Sequence, residues 1–170
     1  ASATNGSVIE EVMGIIKKWW VIPEISFVSQ FYNEKLFLDA FAENGKKYNL
    51  KDYDEIIFSF HGLPERHVDK VYEDSLCQEN DCEKGITKKN QFCYKATCYE
   101  TAKQIAKRLK IKENDYTVAF QSRLDNKWLQ PFSDDIIKKS AKKGDKKILC
   151  FSPSFVADCL ETIIEIGDEY

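Results

Sequence analysis

Apolar residues recur along this chain with two different periods. Val8, Val12, Ile15, Ile16 and Trp19 fall at helical spacing behind Ser7, which forms a capping-box pattern with Glu10 and so predicts a helix start; Pro23 ends the run. Ile25-Ser26-Phe27-Val28 predicts a short strand. Residues 34–48 predict a helix with Leu36, Phe37, Ala40 and Phe41 on one face. Ile56 to Phe60 is an apolar run of the buried-strand type, followed at once by His61-Gly62-Leu63-Pro64. The stretch 65–95 is charged, rich in cysteine and without periodicity. Beyond it come a helix from Ala96 to Leu109, a strand from Tyr116 to Phe120, a helix from Asp134 to Lys143 closed by Gly144, a strand from Lys147 to Phe151, and a last helix over 154–170. The flanking Ala157, Leu160, Ile163, Ile164 and Ile166 predict that much of this last helix is buried.

Strands that alternate with helices predict an α/β domain over 1–170: a parallel sheet with helices on both faces, a Rossmann-like three-layer α/β/α arrangement. Ligands in such folds gather at the carboxyl ends of strands. That rule points to His61, to Gln121-Ser122-Arg123 and to Ser152-Pro153-Ser154.

Composition narrows the classes. The 170 residues suit one domain, and 31% charged residues with no apolar run of spanning length argue against a membrane protein. A net charge of −3 and a pI near 5.5 give no pull toward nucleic acid. The chain opens on Ala1 and stops at Tyr170 inside a predicted helix, so it is expected to be a piece of a longer protein.

Four groups of residues could carry chemistry. His61 leaves an apolar strand into a Gly-Leu-Pro turn, where an imidazole can take a proton or ligate a metal. The plainer alternative is a histidine bonded to its own turn, and His67 reads as surface. Glu161, Glu165 and Glu169 lie at i, i+4 and i+8 on one helical face, with Asp158 a turn earlier. Such a row is mildly unfavourable unless cations or protons visit it; the alternative is a solvated acidic face. Cys77-x4-Cys82-x10-Cys93-x4-Cys98 sits among polar residues, and two close thiol pairs can wrap zinc or an iron–sulfur cluster. Phe120 and Trp128 could stack on a flat ligand and Arg123 could meet a carboxylate, although core packing is the better account of either aromatic.

Taken together, Ala1–Ser7, Phe58-Ser-Phe-His-Gly-Leu-Pro64, Phe120-Gln-Ser-Arg123 with Trp128-Leu129 and Pro131, and Ser152-Pro-Ser-Phe-Val-Ala-Asp-Cys-Leu-Glu-Thr162 resemble the ferrochelatase family, in the family's order and through the whole chain. The resemblance implies a chelatase-like fold of two similar α/β domains, of which this chain is the later part. It implies insertion of ferrous iron into protoporphyrin IX to form protoheme, with porphyrin and Fe2+ as substrates and a cytoplasmic setting; it leaves peripheral membrane contact and oligomeric state open. By the same resemblance His61 is the active-site histidine and Glu161 the carboxylate facing it. Glu165 and Glu169 form an acidic metal path, and Phe120 with Arg123 lines the porphyrin. The insertion over 70–98 is similar to that of bacterial members whose four internal cysteines, here Cys77, Cys82, Cys93 and Cys98, hold a 2Fe-2S cluster, with zinc as the alternative. The turn Leu124–Trp128 departs from the family in lacking its Gly and Pro. The family's early segment, with an Arg-Tyr pair and one porphyrin wall, is absent from this chain. Competing expectations are a metal or redox-sensing module built on the thiols, and a catalytically incomplete fragment.

Overall fold

A computed structural model describes residues 2–170; Ala1, the first residue of the family-like opening stretch, lies outside the described residues. They fall into two compact units, one ending at Phe31 and one running Tyr32–Tyr170. In the first, helix α1 spans Ser2–Ile16, starting before the predicted cap at Ser7. The strand expected at residues 25–28 does not form: the segment joins no ladder, and Val28 is 73% exposed. Strand-favouring side chains make a strand only where a partner edge takes up the backbone bonds.

The second unit is built on three parallel strands, β1 (Glu55–His61), β2 (Thr117–Gln121) and β3 (Ile148–Phe151), in the order β2-β1-β3. Helix α2 (Lys35–Gly45) precedes β1. A one-turn helix α3 (Glu65–Val68) and then α4 (Tyr94–Leu109) lie between β1 and β2, and α5 (Ser133–Lys143) lies between β2 and β3. The step from β1 to β2 and the step back past β1 to β3 run in opposite directions. Right-handed crossovers therefore place α4 and α5 on opposite faces of the sheet.

The central strand explains the core. Ile56, Ile57, Phe58, Ser59 and Phe60 are all buried, as a parallel strand covered on both faces requires. Phe58 stacks on Phe151 at 5.0 Å and meets Tyr116 edge-on at 5.2 Å. Helix α4 turns Ala102, Ile105 and Ala106 inward and packs against α2. Gly45 makes that approach possible, because a Cβ there would sit 2.8 Å from a Leu109 methyl carbon. α5 starts with Asp134 and Asp135, ends with Lys142 and Lys143, and closes on Gly144 at φ +96°, matching both its dipole and the left-handed cap. No described helix is long and apolar enough to cross a membrane.

The last segment differs from expectation. Turns and bends occupy residues 153–157, and the helix is a π-helix over Glu161–Glu169 with i→i+5 bonds, such as Tyr170 N–H to the Glu165 carbonyl. It buries none of its residues: Ile163 is 55% exposed, and Leu160 just before it 71%. The segment is fastened to the sheet through a carboxylate rather than through its apolar side, for the reason set out below.

Candidate active site and metal centre

His61 is the last residue of the central strand and lies opposite Gln121 in the β1–β2 ladder. β3 ends beside Phe58, so the His61 amide finds its partner in a side chain: it donates to Ser154 Oγ at 2.9 Å. On the other side the Tyr94 hydroxyl donates to the His61 carbonyl at 2.8 Å. The ring is fixed as well. Nδ1 lies 2.6 Å from the Gly62 carbonyl, which only accepts, so Nδ1 carries a proton and a neutral ring keeps its lone pair on Nε2. Trp128 and Phe155 flank the imidazole at 6.4 and 6.1 Å between centroids. Gly62 is required here: its N–H donates to the Gln121 carbonyl at 2.7 Å, and a Cβ would lie 2.9 Å from that same oxygen. His67 is exposed.

The acidic row splits into different environments. Glu165 is caught at the end of β2. Its carboxylate accepts from Ser122 N–H at 2.6 Å, Ser122 Oγ at 2.5 Å, Gln121 Nε2 at 3.1 Å and the Tyr170 hydroxyl at 2.5 Å. Ser122 adopts φ +62°, which turns its amide and hydroxyl onto one acceptor. Burial raises the Glu165 pKa, but the donors from Ser122, Tyr170 and Gln121 outweigh it and hold the group below its ordinary range. Gln121 is 1% exposed and extends the network inward: its Oε1 accepts from Ser59 Oγ at 2.8 Å, leaving Ser133 to donate to Ser59 at 2.7 Å. Its Nε2 also donates to the Glu161 carbonyl at 3.0 Å. The end of β2 thus grips the π-helix at both Glu161 and Glu165. The Glu161 side chain is half-buried; its own N–H and the Cys159 thiol hold its pKa below the ordinary carboxylate value. Glu169 and Asp158 are exposed. Among the described residues, no three of His61, Glu161, Glu165 and Glu169 converge on one ligating point.

Phe120 and Arg123 are placed differently from each other. Phe120 is 1% exposed and lies inside the core, 6.5 Å from the Phe60 ring. Arg123 lies over the Phe132 ring at 3.9 Å and pairs with Asp134 at 3.0 Å and Asp135 at 3.4 Å, so its charge already has partners.

The thiols form a second centre. Cys77, Cys82 and Cys93 bring their sulfurs together with separations of 3.7, 3.5 and 3.6 Å, all three buried. The loop is built to hold them. Asp69 Oδ1 accepts the Cys77 amide at 2.8 Å, and buried Asn90 binds the Thr87 amide at 2.6 Å and the Gly85 carbonyl at 3.0 Å. The Tyr72 hydroxyl reaches Cys82 Sγ at 3.1 Å. The proton economy of the trio is uneven: contacts from Cys77 and Cys82 push Cys93 down, while contacts with Cys82 and Cys93, with burial, push Cys77 up. One thiolate stabilised by two thiols is a soft donor set ready for a metal. The near-equal edges match one face of a tetrahedron around an ion with metal–sulfur bonds of about 2.3 Å, whose corners lie about 3.8 Å apart. Cys98, expected as the fourth ligand, does not join this triangle; it is buried one turn into α4, beside the Tyr94 hydroxyl.

Sequence reasoning pointed to all three strand ends but missed Gln121's partners Ser59 and Ser133, the aromatic Phe155, and the tyrosines 72, 94 and 170. Ser59, Ser133 and Tyr94 act across long sequence gaps that carry no periodic signal, and Tyr170 meets Glu165 through a π-helical step of five that an α-helical reading does not place on one face.

A family model described as ferrochelatase matches residues 1–170. The ferrochelatase of Legionella pneumophila (strain Corby) is 43% identical over 168 residues, covering 98% of this chain and 50% of that protein. The ferrochelatase of Pseudomonas fluorescens (strain SBW25) is 36% identical over 176 residues, covering 99% and 50%. The chain spans about half the length of the curated relatives it matches.

Proposed function

The chain belongs to the ferrochelatase family, and on that premise we propose that it contributes the histidine-bearing half of a site that inserts ferrous iron into protoporphyrin IX. The reaction exchanges one Fe2+ for the two pyrrole protons of the free-base ring. It needs a base within about 3 Å of a leaving proton, directly or through one water. The observation that carries this reading is the fixed tautomer of His61: with Nδ1 bound to the Gly62 carbonyl, Nε2 is the free acceptor. Glu161, ionised and within the electrostatic reach of His61, balances the imidazolium formed on proton uptake. Glu169 and Asp158 continue the negative potential toward solvent, where it attracts a divalent cation. Glu165 is the donor-bound member of that line and holds the helix in place. Trp128 and Phe155 offer aromatic surface beside the base, with Phe120 supporting it from the core and Arg123 at its rim.

The cysteines are proposed to hold a metal centre. Cys77, Cys82 and Cys93 would hold it as they stand; a 2Fe-2S cluster, which supplies one-electron chemistry or structural cross-linking when bound, would need a fourth ligand, and Cys98 would have to move from its place beside Tyr94 to provide it. A single tetrahedral ion such as zinc is the alternative that the equal sulfur separations favour. Visible absorption of the purified protein distinguishes the two.

The test is His61→Ala in the full-length protein, followed by the loss of porphyrin fluorescence on adding ferrous iron. Insertion should be abolished while porphyrin affinity stays within a few-fold. Normal turnover by this variant overturns the assignment.

A further inference from the structure

Tyr94 stands where the two centres meet. It is the first residue of α4 and directly follows Cys93, which caps that helix and belongs to the sulfur triangle. Its buried hydroxyl donates to the His61 carbonyl at 2.8 Å. The Ser154 hydroxyl and the Cys98 thiol lie beside the same phenol oxygen. Ser154 Oγ in turn accepts the His61 amide. Both backbone groups of His61 are therefore held by side chains. One peptide bond separates the phenol-bearing residue from a sulfur of the trio. An ion drawing the three thiolates together would pull on Cys93 at the start of α4, the residue next to Tyr94.

We infer that Tyr94 is a positioning residue, which transmits the metal occupancy of the thiol pocket to the backbone of His61 and so to the orientation of its imidazole. The inference rests on the catalytic reading of His61, and its test separates the two.

Within this chain the histidines are His61 and the exposed His67, and in the full-length protein the signals of each are assigned by their loss in His61→Ala and His67→Ala. In full-length protein labelled at histidine, without porphyrin, the imidazole resonances are recorded with the thiol pocket loaded with Zn2+ and again after a chelator strips it. The His61 signals should move between the two states and those of His67 should not. Tyr94→Phe keeps the ring and removes only the hydroxyl. In this variant the bound metal should match wild type by elemental analysis, whereas the metal-dependent shift of His61 should disappear. Its kcat should fall roughly ten- to hundredfold, the scale of a displacement near 1 Å, with the porphyrin KM within about twofold. A Tyr94→Phe protein whose His61 signals still respond fully to metal overturns the inference. If that variant does not fold, the wild-type comparison decides alone: His61 signals unmoved by stripping the metal overturn the coupling. Turnover by His61→Ala overturns the catalytic reading instead, and leaves the resonance result intact.

Discussion

Replacing Glu165 by Gln preserves shape and removes charge, and the geometry fixes what must fail. Both carboxylate oxygens are occupied: Oε1 by Ser122 N–H and the Tyr170 hydroxyl, Oε2 by Gln121 Nε2 and the Ser122 hydroxyl. The new amide brings an NH2 to one of these positions. Hydroxyls can rotate to accept from it, but the Ser122 amide cannot. Gln121 cannot invert either, because its own oxygen is committed to Ser59. Either rotamer of the new amide therefore sets N–H against N–H. A hydrogen bond to a charged group contributes about 1.5–3 kcal/mol and a neutral one about 0.5–1.5. Losing one and weakening the others, discounted for partial exposure, destabilises by about 2–4 kcal/mol. At about 2–4 °C per kcal/mol for a chain of this size, Tm should fall by about 5–15 °C. The pH dependence supplies a second reading. The folded pKa of Glu165 lies below its ordinary value of 4.5, so the unfolded state binds the proton first. The stabilisation is fully present above the unfolded pKa and is lost as pH falls through the folded one. The gap between wild type and Glu165→Gln in urea midpoints should therefore be constant near neutrality and close below pH 4.5. A variant within 1 °C of wild type at pH 7, or a gap that widens in acid, refutes the reasoning.

Other substitutions test neighbouring parts. Gly62→Ala forces a Cβ against a backbone oxygen at 2.9 Å, which cannot move aside like a side chain; it should cost about 1–3 kcal/mol in denaturant unfolding and displace the His61 resonances. Gln121→Met should destabilise by about 2–4 kcal/mol, since it leaves a buried Ser59 hydroxyl and the Glu161 carbonyl short of a partner; a neutral result in thermal melts contradicts the buried network. Cys93→Ala removes the thiolate of lowest pKa and should abolish metal retention after gel filtration, read by elemental analysis, whereas Cys150→Ala, outside the trio, should leave metal content unchanged.

Much of the fold was legible because it is written locally. The continuous apolar run of β1, the Asp-to-Lys polarity of α5 and the glycine after it each announce an element in a few adjacent residues. The candidate site was legible as a set of positions, since strand ends in a parallel sheet are where ligands gather. What the residues do there was not. Glu165 reads as one acid in a row, yet its partners arrive from 43 residues upstream as well as from Tyr170. The helix over 154–170 looked amphipathic with its apolar side inward. Three donors at the end of β2, joined by the Tyr170 hydroxyl, instead capture a carboxylate and leave Leu160 and Ile163 outward. The strand expected at 25–28 failed for a related reason: its side chains suit a sheet, but no partner edge is supplied.

The inequality of the three strands also shapes what can reach His61. β2 accompanies β1 up to His61 itself, whereas β3 stops three residues short, opposite Phe58. One flank of the histidine is thus walled by main chain; the other has only a looped serine for a latch. An approaching molecule meets a rigid jamb on one side and a releasable one on the other. Adjusting the loop that follows β3 could therefore widen or narrow the approach while the hydrogen-bonded frame of the sheet stayed unchanged.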